Sequence, residues 1–123
     1  MRNKFGILFT LFLITFTTVG LAETGHKKGK VQYIRVHGEA EHPTWAPPIF
    51  WFTLEGVTNA GTCRVWNGNV LFVMDSDSAL SLVLAAEMAD KEIAVRYDDT
   101  KLNVENYWCK ATYVTLGDSV LLK

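Results

Sequence analysis

Cysteine occurs twice in the 123 residues, histidine three times and proline three times. Each scarcity closes off a class of function. With only Cys63 and Cys109, no further thiolates stand at the close spacing that a zinc-binding cysteine cluster needs. The histidines, His26, His37 and His42, form no i, i+4 pair of the kind that holds zinc on a helix, and no cysteine–histidine nucleophile pair is evident. Gly-x-Ser-x-Gly and phosphate-cradling glycine loops are missing as well. The sequence therefore predicts a protein that is not an enzyme and implies no cofactor and no bound metal. Internal repeats and low-complexity segments are also lacking. The prolines, Pro43, Pro47 and Pro48, all fall in residues 38–48, which cannot form a regular element.

What is present begins with a compartment signal. Arg2 and Lys4 precede an uncharged apolar stretch, residues 5–21, that ends in Gly20-Leu21-Ala22 before Glu23. A basic start, an apolar middle and a small-residue exit make a secretory signal peptide, predicted over residues 1–22. About 17 apolar residues could just cross a thin bilayer as an uncleaved anchor, but four threonines dilute them and the exit is well formed. No cysteine at the exit signals a lipid anchor. The expectation is a secreted or periplasmic protein with no membrane span after cleavage and one domain over residues 23–123. Without Arg2 and Lys4, that part carries 10 basic against 13 acidic residues, a net charge of −3. Such a balance gives no electrostatic case for binding nucleic acid.

A domain of this size buries a limited core, and the predicted compartment is oxidising. A disulfide between Cys63 and Cys109 is thus expected, enclosing 45 residues. Loop-closure entropy sets its contribution at about 4 kcal/mol.

The enclosed stretch, residues 75–97, organises the chain. Asp75, Ser76 and Asp77 can each cap a helix, and from residue 78 to residue 89 only Ser78, Ser81 and Glu87 are polar. A helix apolar almost all round is expected to be buried almost all round, against its own sheet and a neighbouring subunit. At about 18 Å it is too short to span a bilayer. Asp90-Lys91 ends it, and residues 92–97 alternate as a strand. Before the helix, residues 30–37 read as a strand preceded by a polar lead-in, and residues 49–54 as a strand buried on both faces. Residues 62–66 turn through Asn67-Gly68 into residues 70–74. After the helix and its strand, residues 98–105 read as a polar loop and residues 107–116 as a last strand, with Cys109, Ala111, Tyr113 and Thr115 on one side. Strands, one helix, then strands predict a mainly β protein: a five-stranded Greek-key barrel of the oligonucleotide/oligosaccharide-binding (OB) type, with the helix between the third and fourth strands. A loose α+β sandwich is the alternative.

Two polar clusters attract a metal reading and a plainer one. His37, Glu39, Glu41 and His42 offer imidazole and carboxylate, yet a solvated loop accounts for them. Asp75-Ser76-Asp77 opens like a calcium loop but lacks its glycine and closing glutamate, so capping is the expectation. Trp45 lies in the Pro-rich loop, where core burial is least expected; it suits sugar stacking or a subunit interface, or else local packing over the loop. For Trp51, Trp66 and Trp108 local packing is expected.

Several short matches in order carry a resemblance. They are Gly29-Lys30-Val31, Phe52-Thr53-Leu54-Glu55-Gly56, Ala60-Gly61 ahead of Cys63, Ala79-Leu80, Ala85-Ala86 and Val95-Arg96-Tyr97. In this order the chain resembles the subtilase cytotoxin B subunit family of pentameric-toxin B subunits, from residue 29 to about residue 117. The resemblance implies an OB barrel, a homo-oligomeric ring up to a pentamer assembled through strand edges and helices, a catalytic toxin subunit as partner, and a glycan ligand. The family's sugar-contacting serine falls on Lys28 and its tyrosine on Asp98, with Tyr97 one place earlier, while its second-strand cysteine is Thr53 here. A ligand-binding surface is accordingly expected from Lys28, Trp45, Tyr97 and Asp98. In it the two rings would stack a sugar, Lys28 would meet a carboxylate and Asp98 would accept hydroxyl hydrogen bonds. The alternative is a stand-alone periplasmic OB protein that binds a small ligand or a partner protein.

Overall fold

The computed structural model describes residues 24–103 and 105–117. The expected signal peptide, residues 1–22, and the tail from residue 118 lie outside the described residues. In chain order the elements are β1 (Thr24–Val36), β2 (Phe50–Leu54), β3 (Val65–Trp66), β4 (Asn69–Met74), α1 (Asp77–Met88), β5 (Glu92–Leu102) and β6 (Cys109–Leu116). β1 is shared: its first half pairs antiparallel with β5 and its second half with β2. β2 pairs antiparallel with β4 and β5 with β6, while β4 meets β6 in parallel at Val73 and Lys110. The order β1–β2–β4–β6–β5 thus closes back on β1. This is the closed five-stranded OB-like barrel that the sequence predicts, with α1 between the third and fourth barrel strands; β3 is a two-residue hairpin arm on β4.

Alternation builds the core. Phe50, Phe52 and Leu54 of β2 and Val70, Phe72 and Met74 of β4 point into the barrel, where Ile93, Val95 and Tyr97 of β5 meet them. Each fully buried phenylalanine is worth about 2–3 kcal/mol over exposure. Two irregularities set the faces of β1 and β6. The register of β1 slips at Gln32, so Val31 is buried and Ile34 packs on the core, while Arg35 lies out on the aromatic face. That of β6 slips at Thr112, so Ala111 and Val114 both pack on the core and Tyr113 is left exposed, against the regular alternation expected.

Cys63 and Cys109 form the expected disulfide, with Cα atoms 5.4 Å apart. It ties the segment before β3 to the start of β6. Asn67 and Gly68, both at positive φ, make the β3–β4 turn, the geometry for which that pair is suited.

α1 starts on Ser76, whose Oγ accepts the Ala79 N–H at 3.2 Å. It ends with Asp90 in the left-handed region (φ 54°), the Asp90 N–H bonded to Glu87 O and the Lys91 N–H to Ala86 O. Within the single chain the barrel covers one side of the helix. Only Ala79, Val83 and Ala86 are buried, and Met88 is 87% exposed. Small residues on the inner side let the helix lie close to the barrel, which leaves the larger Leu84 and Met88 facing away from it.

Three boundaries also move. The lead-in is strand from Thr24, because β5 supplies a ladder for a polar segment with little core content. The expected loop after residue 97 continues as β5 to Leu102, held to β6 by the Leu102–Cys109 pair. The strand expected over residues 62–66 shortens to β3: Cys63 before it is buried, and Val65 on it is exposed.

Candidate ligand-binding face

On the outer side of β1, β2 and β4, Arg35, Trp51 and Val73 stand in one cross-strand row. Residues adjacent across a ladder share a face, so this row is fixed by the register that puts Phe50 and Phe52 inside. Trp66 reaches over from β3 and packs 4.9 Å from Trp51, with Tyr33 edge-on to it at 5.6 Å. The Arg35 guanidinium lies 4.9 Å from the Trp51 ring and 5.6 Å from that of Trp66. Trp45 and Trp108 arrive from the β1–β2 and β5–β6 loops. All four tryptophans, with Arg35, His37, His42 and Leu71, line a shallow depression of about 180 Å³. That is below the roughly 300 Å³ where pockets for whole small molecules begin, so it suits a single ring or edge.

One carboxylate joins the two loops. Glu105 Oε1 accepts the Trp45 Nε1–H and the Thr44 hydroxyl, each at 3.0 Å. Thr44 has a single hydroxyl proton and spends it on Glu105, so the His42 Nδ1 contact at 2.9 Å is a donation from histidine to Thr44. A single 3₁₀ turn, Pro43–Trp45, presents these donors. His37 stacks between them, 5.9 Å from His42 and 5.7 Å from Trp45. On the other loop, the Asn103 side chain accepts the N–H groups of Tyr107 and Trp108 and fixes their directions. Tyr107 then carries the Arg64 guanidinium 3.6 Å from its ring centre.

The four residues expected to form one surface are not brought together. Tyr97 is 1% exposed, part of the barrel core, and cannot offer a face to a sugar. The strand alternation that places Ile93 and Val95 inside takes Tyr97 with them. Trp45 is 6% exposed, buried among Trp51, Leu71 and Val73. This corrects the expectation of an exposed loop tryptophan, because the loop folds back onto the sheet and Glu105 satisfies the indole N–H. Lys28 is ion-paired with Glu92 at 3.2 Å, facing β5. Asp98 accepts the Thr100 hydroxyl at 2.6 Å and its N–H at 3.0 Å, which together hold its carboxyl below the ordinary value.

A wider concavity, about 640 Å³, lies beside Lys28, Lys30, Asp90 and Glu92. Four of its polar side chains are engaged in the Lys28–Glu92 and Lys30–Asp90 pairs, and the chain continues from it into residues outside the description. The smaller aromatic depression has the stronger chemistry. Among the described residues no group of three or more His, Cys, Asp or Glu side chains is placed to hold a metal ion. The face as a whole was within reach of sequence reasoning only in part. Trp51 outside follows from Phe50 and Phe52 inside, but the meeting of Arg35, Trp66, Trp108 and Tyr107 follows from barrel closure alone.

No protein-family model, curated protein or solved structure matches this chain. What the barrel does is therefore read from its own side chains.

Proposed function

We propose that the protein is an exported, non-catalytic binding protein that takes a glycan on the outer aromatic face of its OB-like barrel and acts as a homo-oligomer. One observation carries this reading: all four tryptophans converge, with Arg35 stacked on two of them, on the outer side of β2 and β4 between two loops. That side of an OB barrel, with those loops, is where the fold accommodates oligosaccharides and oligonucleotides. The C–H faces of a sugar ring pack on indole while its hydroxyls stay wet, and half-buried Trp66 and Trp108 supply such faces. The Cys63–Cys109 disulfide fits an oxidising compartment, secreted or periplasmic. The exposed Leu84 and Met88 of α1 support self-association, which would raise the avidity of a weak single site.

A glycan array probed with the exported protein tests the reading. Signal is expected for at least one glycan, reduced at least tenfold by Trp66→Ala or Trp108→Ala and kept by Lys28→Ala. Loss of signal with Lys28→Ala alone would return the site to the β1–β5 side. A blank array would remove the glycan reading.

A further inference from the structure

We infer that the aromatic face is a groove with two subsites for a linear acidic oligosaccharide, in which Arg35 and Arg64 each fork a carboxylate on successive acidic rings of the chain. The inference rests on the glycan reading above and adds the ligand's charge and minimum length.

Both arginines use their flat faces on aromatic rings, Arg35 on Trp51 and Trp66 and Arg64 on Tyr107. A stacked guanidinium keeps its in-plane N–H edges for a second partner, and a carboxylate matches two of them at once. The ion pairs Lys28–Glu92, Lys30–Asp90 and Lys110–Asp75 are all made by lysines. No carboxylate is among the residues lining the depression, which instead include Arg35, His37 and His42. Glu105, at its margin, is engaged by Trp45 and Thr44. In the depression an anionic ligand thus meets Arg35 and no opposing carboxylate; two residues before Arg64, the Thr62 N–H and hydroxyl engage the Asp99 carboxylate.

The length follows from the strand. Arg64 O accepts the Leu71 N–H at 3.3 Å, so the ladder of β3 extends back to Arg64, and Trp66 lies two residues on. Two residues along an extended strand are about 7 Å and fall on one side. Trp66 contacts Trp51 and Arg35; Tyr107, under Arg64, contacts Trp108 at 4.8 Å. Trp66 and Trp108 line the same depression, which sets two aromatic groups on one face: Tyr33–Trp66–Trp51, carrying Arg35, and Trp108–Tyr107, carrying Arg64. A depression that holds one ring, continued by a second arginine shelf, fits a chain better than a single sugar.

A single-stranded nucleic acid also pairs stacking with cationic groups, but it needs positive charge tracking the backbone. Lys28 and Lys30 are paired away from this face, and residues 23–123 are net acidic. Charge complementarity is local and favours a few carboxylates.

Because every tryptophan lines the depression, intrinsic fluorescence reports on it directly. The exported protein would be titrated with a tetrasaccharide of alternating glucuronate and N-acetylglucosamine, with cellotetraose, with free glucuronate and with tetradeoxythymidylate. The acidic tetrasaccharide is expected to bind at least tenfold more tightly than each of the others. Arg35→Gln and Arg64→Gln should each bring the acidic-to-neutral affinity ratio close to one. Arg35→Lys and Arg64→Lys, which keep charge and stem, should lose most of the preference, because lysine cannot fork. Equal affinity for cellotetraose, or an unchanged ratio in both arginine variants, would overturn the inference and leave the glycan reading standing. Tighter binding of the nucleotide would overturn it in favour of a nucleic-acid ligand. No response to any sugar would remove both readings.

Discussion

Glu105 and Trp45, 60 residues apart in the chain, meet through a 3.0 Å hydrogen bond from the indole nitrogen to Oε1, and the same oxygen holds Thr44. Two loops that frame the aromatic face are thereby locked to each other. Hydrogen bonds to a charged acceptor contribute about 1.5–3 kcal/mol when sheltered, and Glu105 is exposed, so Glu105→Ala should cost about 1–2 kcal/mol. Tryptophan emission should shift to the red as Trp45 gains water. Glu105→Gln, which keeps an acceptor without charge, should fall between. Urea unfolding and emission spectra check this, and an unshifted spectrum in the alanine variant would mean that apolar packing alone holds Trp45.

The disulfide gives a second expectation. Cys63 and Cys109 are both buried, so Cys63→Ala/Cys109→Ala exchanges the bridge for small apolar groups without adding a buried thiol. Loop-closure entropy puts the loss at about 4 kcal/mol, a large share of the roughly 5–15 kcal/mol that small domains possess. Chemical denaturation of the double variant measures the loss. Intact mass with and without reduction shows whether the bond forms on export. Two alkylatable thiols in the unreduced protein would contradict the bridge.

Asp98 sets a pH dependence. The Thr100 hydroxyl, then the Thr100 N–H, stabilise its carboxylate and hold its pKa below the ordinary aspartate value. A group with a depressed native pKa binds fewer protons folded than unfolded, so its contribution is present above the unfolded value and fades as pH falls through the folded one. Thermal midpoints should therefore decline on acidification below about pH 3.9, and more steeply in the wild type than in Asp98→Asn. Identical slopes in the two proteins would show that the Thr100 contacts do not persist in solution. The side chain is exposed, and the effect is correspondingly small.

The legible parts of the molecule were those fixed by neighbours in sequence. The Ser76 cap, the Asn67-Gly68 turn and the alternation of Phe50, Phe52 and Leu54 each follow from a few adjacent residues, and they suffice to place one helix among barrel strands. The two slips, at Gln32 and Thr112, could not be read, because a bulge answers to the partner strand's register and leaves no composition of its own. Polar residues 98–102 looked like loop for the same reason: ladder hydrogen bonds, not side chains, make them strand. For the site, the resemblance points to the neighbourhood of Tyr97, whereas its alternation with Ile93 and Val95 puts that ring in the core. Trp45 was misplaced because loop residence does not reveal a buried acceptor 60 residues later.

Met88 and Leu84 carry the last prediction. α1 turns Ala79, Val83 and Ala86 toward the barrel, so Leu84, 42% exposed, and Met88, 87% exposed, lie on its outer side with Asp77 and Ser81. Burying two such side chains returns about 1.5–3 kcal/mol each, enough to matter when a symmetric contact repeats it in every subunit. The protein is expected to elute as a homo-oligomer at micromolar concentration by light scattering. Leu84→Glu/Met88→Glu should convert it to monomer with the thermal midpoint of the fold little changed. An oligomer that survives the double substitution would put the interface elsewhere, at the strand edges. A wild-type monomer would remove self-association, and with it the avidity that a shallow aromatic face would otherwise gain.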